Sequence, residues 1–160
     1  MKALTTSQLR MQADERLYTA GGGLTERSRA LLNEATRYFV GHDAAVGVLF
    51  TEGRMQSPMF LKSGINGGPW GGSHRGGVPR MPGWGFTRGG ASQGNIATHV
   101  EGHASAILWQ RDLKLGHLLV DRAMCDVCHR NLYNTLPPGS SLYVYSEAEG
   151  ETIVRASHGA

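Results

Sequence analysis

The sequence predicts an α/β domain built around one core, on three observations. The chain has 160 residues, 40% of them hydrophobic, which suits a single packed core. Between residues 99 and 145, segments of helical periodicity alternate with short apolar runs of strand type. Glycine- and proline-marked breaks at Gly21–Gly23, over 63–97 and at Pro137-Pro138 punctuate the chain, and no internal repeat is present. A single domain over residues 1–160 is expected, with helices in 1–40 and the core in 44–156. No stretch approaches the roughly 20 apolar residues that would span a bilayer, so no membrane partner is expected.

Residues 6–19 read as a helix with Leu9, Ala13 and Leu17 on one face, ended by Gly21, Gly22 and Gly23. Thr25 to Phe39 reads as a second helix, with Leu24, Ser28, Leu31, Leu32, Ala35 and Phe39 along its stripe. Ala45–Phe50 and Pro58–Lys62 are strand-like, with Glu52 and Gly53 between them as in a hairpin. His99–Leu113 reads as a helix with Ala104, Ile107, Leu108 and Leu113 inward, and Trp109 is assigned to the core. His117–Asp121 is a short strand, and Cys125–Leu136 a helix stopped by Pro137 and Pro138. Ser141–Tyr145 and Thr152–Ala156 form a C-terminal antiparallel hairpin across the Glu147–Glu151 link.

The segment 63–97 stands apart. Twelve of the 23 glycines fall between Gly64 and Gly94, together with Pro69, Pro79 and Pro82. A loop of this length within a compact domain is expected to be functional or disordered. No acidic residue lies between Glu52 and Glu101, whereas Arg54, Lys62, Arg75, Arg80 and Arg88 do, as do Trp70, Trp84 and Phe86. Cations mixed with aromatic rings suit phosphates and base faces. We therefore expect Trp70, Arg75, Arg80, Trp84, Phe86 and Arg88 to contact a nucleic-acid substrate. The plainer reading, a glycine loop whose tryptophans tuck onto the core, stays open. The net charge of +3 points weakly the same way.

Only two cysteines are present, Cys125 and Cys128. No apolar run follows Lys2, so the N-terminus does not read as a signal peptide, and a structural disulfide is not expected. A close cysteine pair in a reducing compartment points to metal or redox chemistry. The pair opens one predicted helix, and His99-Val100-Glu101 opens another. If both helices follow adjacent parallel strands, their N-termini meet at one place. A helix N-terminus favours thiolate over thiol. Cys125 and Cys128 share a face, and His99 makes a third ligand, leaving one tetrahedral position of a Zn²⁺ ion for water. Zinc brings the pKa of such a water near ~7. Glu101 is placed to move protons without binding the metal.

These fragments resemble the His-x-Glu and Cys-x-x-Cys signature of the zinc-dependent cytidine-deaminase superfamily. The likeness extends further. His99-Val100-Glu101-Gly102 with Ala104, Ala106 and Leu108 resembles the catalytic helix of the bacterial DddA-like toxin deaminases. So does the segment from Cys125 to Leu136-Pro137-Pro138-Gly139, leading into Leu142-Tyr143-Val144, and so does the stretch from Ser63-Gly64 to Gly67-Gly68-Pro69. The resemblance covers roughly residues 44–156. It implies a five-stranded mixed sheet flanked by helices in three layers and closed by an antiparallel hairpin. It also implies hydrolysis of cytosine to uracil in single- or double-stranded DNA. The setting it implies is a toxin domain acting in the cytoplasm of a target bacterial cell, with an immunity protein as a further partner. Two departures stand out: Met124 occupies the place before the first cysteine where the superfamily usually has proline, and the glycine-rich loop is long.

Other readings remain at this point. Thr98-x-x-Glu101 is also a capping box. His99 and His103 share the spacing of a metalloprotease helix, but Val100 stands where that motif needs glutamate. His103 is expected to be a partly exposed polar residue. Cys125-x-x-Cys128-His129 matches a haem-attachment pattern, and the cysteine pair alone matches a redox motif. A structural Cys2His2 zinc site completed by His103 or His129 would make the protein a non-catalytic nucleic-acid-binding module. Deamination of free nucleosides, or of adenine, uses the same chemistry.

Overall fold

The computed structural model describes residues 17–19, 21–39, 44–51, 58–64 and 99–157. Three helices and five strands are found among them: α1 (Glu26–Tyr38), β1 (Val46–Thr51), β2 (Met59–Lys62), α2 (Val100–Gln110), β3 (Leu115–Val120), α3 (Asp126–Thr135), β4 (Ser141–Ser146) and β5 (Gly150–Arg155). Most of the helix expected over residues 6–19 lies outside the described residues. Within it, Tyr18 already pairs with Leu24 in an isolated bridge, so helix does not extend to residue 19.

The strands form one mixed sheet in the order β2-β1-β3-β4-β5. β1 runs antiparallel to both β2 and β3, β3 and β4 are parallel, and β4 and β5 close the chain as an antiparallel pair. This is the expected α/β architecture. The hairpin is tighter than expected: Ser146 pairs with Gly150, whose φ of 73° takes up the left-handed turn position that glycine accepts without steric cost. The expectation that α2 and α3 follow adjacent parallel strands is corrected. They follow β2 and β3, which point the same way but are separated by β1. The adjacent parallel pair is β3 and β4, the strands into which the two helices lead.

Strand alternation divides the core between the two faces of the sheet. Val46, Val48, Phe50, Leu119 and Tyr145 face α1 and pack with Ala35, Leu17 and Leu24. Leu49, Leu61, Leu118, Val120, Leu142 and Val144 face the other way, onto Val100, Ala104, Ile107, Leu108, Cys128 and Leu132 of α2 and α3. The result is three layers, helix, sheet and helix pair. Two glycines in the sheet bring α2 close: a Cβ on Gly47 would lie 2.5 Å from Val100 Cγ1, and one on Gly116 would lie 3.4 Å from Leu108 Cδ2.

Each helix boundary has a local cause. Thr25 caps α1 by accepting from the Ser28 N–H at 3.2 Å. α2 ends at Gln110, short of the expected Leu113, because Asp112 adopts φ 52°. The Leu113 N–H then donates to Leu108 O and the Asp112 N–H to Trp109 O, the paired bonds of a Schellman stop. α3 runs into Pro137, which cannot donate to the helix ladder. The two helices are tied side by side where α3 ends: Ser105 Oγ donates to Thr135 O at 2.9 Å, and Trp109 Nε1 donates to the same carbonyl at 2.6 Å. Trp109 thus packs against the core, as expected. Among the described residues no helix is long and apolar enough to cross a membrane.

Candidate active site

His99 and Cys125 hold equivalent places in the two helices. Each is the N-cap residue, in extended backbone conformation, and neither side chain caps its own helix. That leaves both side chains to turn toward each other at the shared end of the helix pair. The N-cap of α2 is His99, and Thr98, the other half of the capping-box reading, lies outside the described residues. Cys128, one turn into α3, is buried on the same side.

His99 Nδ1 lies 3.3 Å from Cys125 Sγ and 3.2 Å from Cys128 Sγ. The three ligand atoms all fall within 4.8 Å of one another. Zinc bonds of about 2.0 Å to nitrogen and about 2.3 Å to sulfur, at a tetrahedral angle, put such atoms about 3.5 Å apart. One imidazole and two thiols at this spacing are a borderline-soft donor set of the kind zinc takes. The residues therefore fit a Zn²⁺ ion, held by three protein ligands.

The electrostatics prepare the sulfurs. The Cys125 thiol is lowered to about 3, chiefly by the hydrogen bond from Cys128 and also by His99, against the opposing effect of partial burial. Cys128 is pushed up by the same bond and by burial. Glu101 sits directly beside the sulfurs, with Oε2 3.5 Å from Cys128 Sγ and only 7% of the residue exposed. Burial raises its pKa above the ordinary 4.5, against the lowering effect of its backbone and Cys128 hydrogen bonds.

The other histidines do not join the group. His103 is 2% exposed rather than partly exposed as expected, and its Nε2–H donates to Gly64 O at 2.8 Å. His129 Nε2–H donates to Glu149 Oε2 at 3.2 Å. A four-ligand site completed by either is not formed, since each ring is engaged elsewhere. Among the described residues the only ligand cluster is His99, Cys125 and Cys128.

A cavity of about 230 Å³ opens over this cluster, lined by Ala45, Ser63, His99, Val100, Glu101, Val120, Arg122, Ala123 and Cys125. Ser63 is fixed there by its paired bonds with Ala45 at 2.8 and 3.0 Å. Arg122 is fixed by Asp121, 3.2 Å from its Nε, and by Ala44 O, 3.0 Å from Nη2.

This geometry is accompanied by a sequence match. The family model of the SCP1.201-like deaminases matches residues 28–160. The chain belongs to that family. No curated protein matches it. For an SCP1.201-like deaminase, zinc is the cofactor that the His99, Cys125 and Cys128 arrangement fits. Trp70, Arg75, Arg80, Trp84, Phe86 and Arg88 lie outside the described residues. Sequence reasoning missed Ser63 and Arg122 as cavity residues. The cationic side chain next to the Cys-x-x-Cys segment was the available signal for Arg122. It also missed Glu149, whose distance in sequence hides its bonds to Met124 and His129, the residues that flank the cysteine segment.

Proposed function

We propose that this deaminase hydrolyses cytosine to uracil in DNA, as a DddA-like toxin domain acting in the cytoplasm of a target bacterial cell. The observation that carries the chemistry is the buried carboxylate of Glu101 beside a three-ligand metal set at the floor of a cavity. A bound zinc would supply a water that ionises near neutral pH. Glu101 does the proton work. It takes a proton from the attacking water and gives it to ring N3, while the water oxygen bonds to C4. It then passes the second water proton to the exocyclic amine as the C4–N bond breaks, so that ammonia leaves and the C4 carbonyl remains. Its burial suits this role, because a raised pKa lets one carboxyl both accept and donate near neutral pH.

The substrate class is supported by three features. The cavity is smaller than the roughly 300 Å³ at which drug-sized pockets begin, which suits one heterocycle. Arg122 puts a cation on its wall, suited to a phosphate. The acid-free segment before Glu101 carries Arg75, Arg80 and Arg88 among Trp70, Trp84 and Phe86. A base inside a duplex must be flipped out or already unpaired to reach such a cavity.

The test is a uracil assay on matched single- and double-stranded oligonucleotides, read by uracil glycosylase and alkaline cleavage. Cleavage of either supports the proposal and their ratio gives strand preference. Protein holding one zinc per chain that cleaves neither, but converts free cytidine, would move the substrate to nucleosides.

A further inference from the structure

The residues that flank the two cysteines are bonded from outside their own helix. Glu149, in the turn between β4 and β5, reaches the cysteine segment at the start of α3 with both carboxylate oxygens. Oε1 accepts the backbone N–H of Met124 at 3.0 Å, and Oε2 accepts His129 Nε2–H at 3.2 Å. Met124 immediately precedes Cys125 and His129 immediately follows Cys128. One side chain thus brackets the four-residue segment that carries two of the three candidate ligands. The turn itself is braced: the Glu149 N–H donates to Ser146 Oγ at 3.2 Å, Gly150 takes a positive φ, and Glu147 pairs with Arg29 of α1 at 2.9 Å.

Met124 gives this arrangement its point. A proline there, as the superfamily usually has, carries no N–H and would fix the entry to the cysteine segment through its ring. Here the backbone is free to donate, and an acidic residue from the neighbouring hairpin takes the bond. An ionised acceptor makes such a bond roughly twice as strong as a neutral one.

We infer that Glu149 is a positioning residue for the metal centre, clamping the Cys125–Cys128 segment so that both sulfurs face His99. The inference rests on the reading of His99, Cys125 and Cys128 as metal ligands, and it makes no use of the substrate. Supporting groups one shell out from a metal are worth about 10–100-fold in its affinity.

The experiment loads the full chain and its Glu149→Ala and Glu149→Gln variants with Co²⁺ in place of zinc. It records the ligand-field and thiolate charge-transfer absorption, affinity against a chelator, and Tm of the metal-free proteins. Glu149→Ala is expected to bind Co²⁺ about 10–100-fold more weakly with altered ligand-field bands. Glu149→Gln keeps an acceptor for the Met124 N–H but gives up the charge and the acceptor for His129, and should fall between the parent and Glu149→Ala. A Glu149→Ala protein with unchanged affinity and spectrum, whatever its Tm, overturns the inference, since the turn would then matter to the hairpin alone. Should Glu149→Ala fail to fold, Glu149→Asp, which keeps the charge but withdraws it from α3, carries the same test. A parent protein with no thiolate-to-Co²⁺ band would instead overturn the metal reading beneath it, a separate result.

Discussion

In the proposed mechanism Glu101 is the residue whose removal separates chemistry from metal binding. Its carboxylate touches Cys128 but is not in the ligand set, so Glu101→Ala should keep one zinc per chain while turnover falls by about 10²–10⁴-fold. Metal analysis beside the uracil assay checks both halves. His103 behaves differently. Burial lowers its pKa below the ordinary 6.5, aided by nearby His99 and opposed by its bond to Gly64. The folded state therefore binds fewer protons than the unfolded chain as pH falls below 6.5, and stability is lost with acidification through that window. His103→Gln, which can still donate to Gly64 O but cannot ionise, should show a shallower loss of Tm from pH 7 to pH 5 in the metal-free protein. At this scale much of the site was legible. Local spacing was enough to expect His99, Glu101, Cys125 and Cys128 to lie together, as they do. His103 was misjudged because its partner is 39 residues away, and Glu149 was missed because a turn between strands brings it back to α3.

Among the elements, α2 has little room over β1. Gly47 lies in β1 directly under Val100, the first residue of α2 and the neighbour of His99. Gly47→Ala puts a methyl group 2.5 Å from a stiff β-branched side chain, with Leu119 O 3.2 Å away on another side. Overpacking of this kind costs about 1–3 kcal/mol. The expected outcome is a lower Tm together with weaker zinc binding, because the end of α2 that must move carries a ligand. A lower Tm with unchanged chelator competition would show that α2 adjusts away from the metal end. The elements themselves were readable from periodicity and breakers, which is why all described strands and helices fall close to their expected places. Their ends and neighbours were less so. The stop at Asp112 depends on a residue that rarely adopts positive φ, and the insertion of β1 between β2 and β3 depends on pairing that no local pattern encodes.

At the scale of the whole molecule, charge and metal set behaviour together. If the arginines of segment 63–97 and Arg122 hold phosphates, DNA affinity must fall steeply with salt, with a log–log slope of about −0.7 to −0.9 per phosphate contacted. Binding to a fluorescent oligonucleotide across a salt series measures it, and a flat response would remove the polyanion role. The ligand spacing has another consequence. His99 and Cys125 lie 26 positions apart, on helices that pack on the same face of the sheet. An ion bound by both joins the starts of two separate helices and is lost when either helix leaves the sheet. Thermal resistance then becomes a readout of metal supply. At a free zinc level about 100 times the dissociation constant the folded state gains about 2.7 kcal/mol, and the melting temperature should climb with the logarithm of free zinc. A chain that reaches a zinc-poor environment would carry its chemistry and its durability as one quantity, both set by the occupancy of a single clasp.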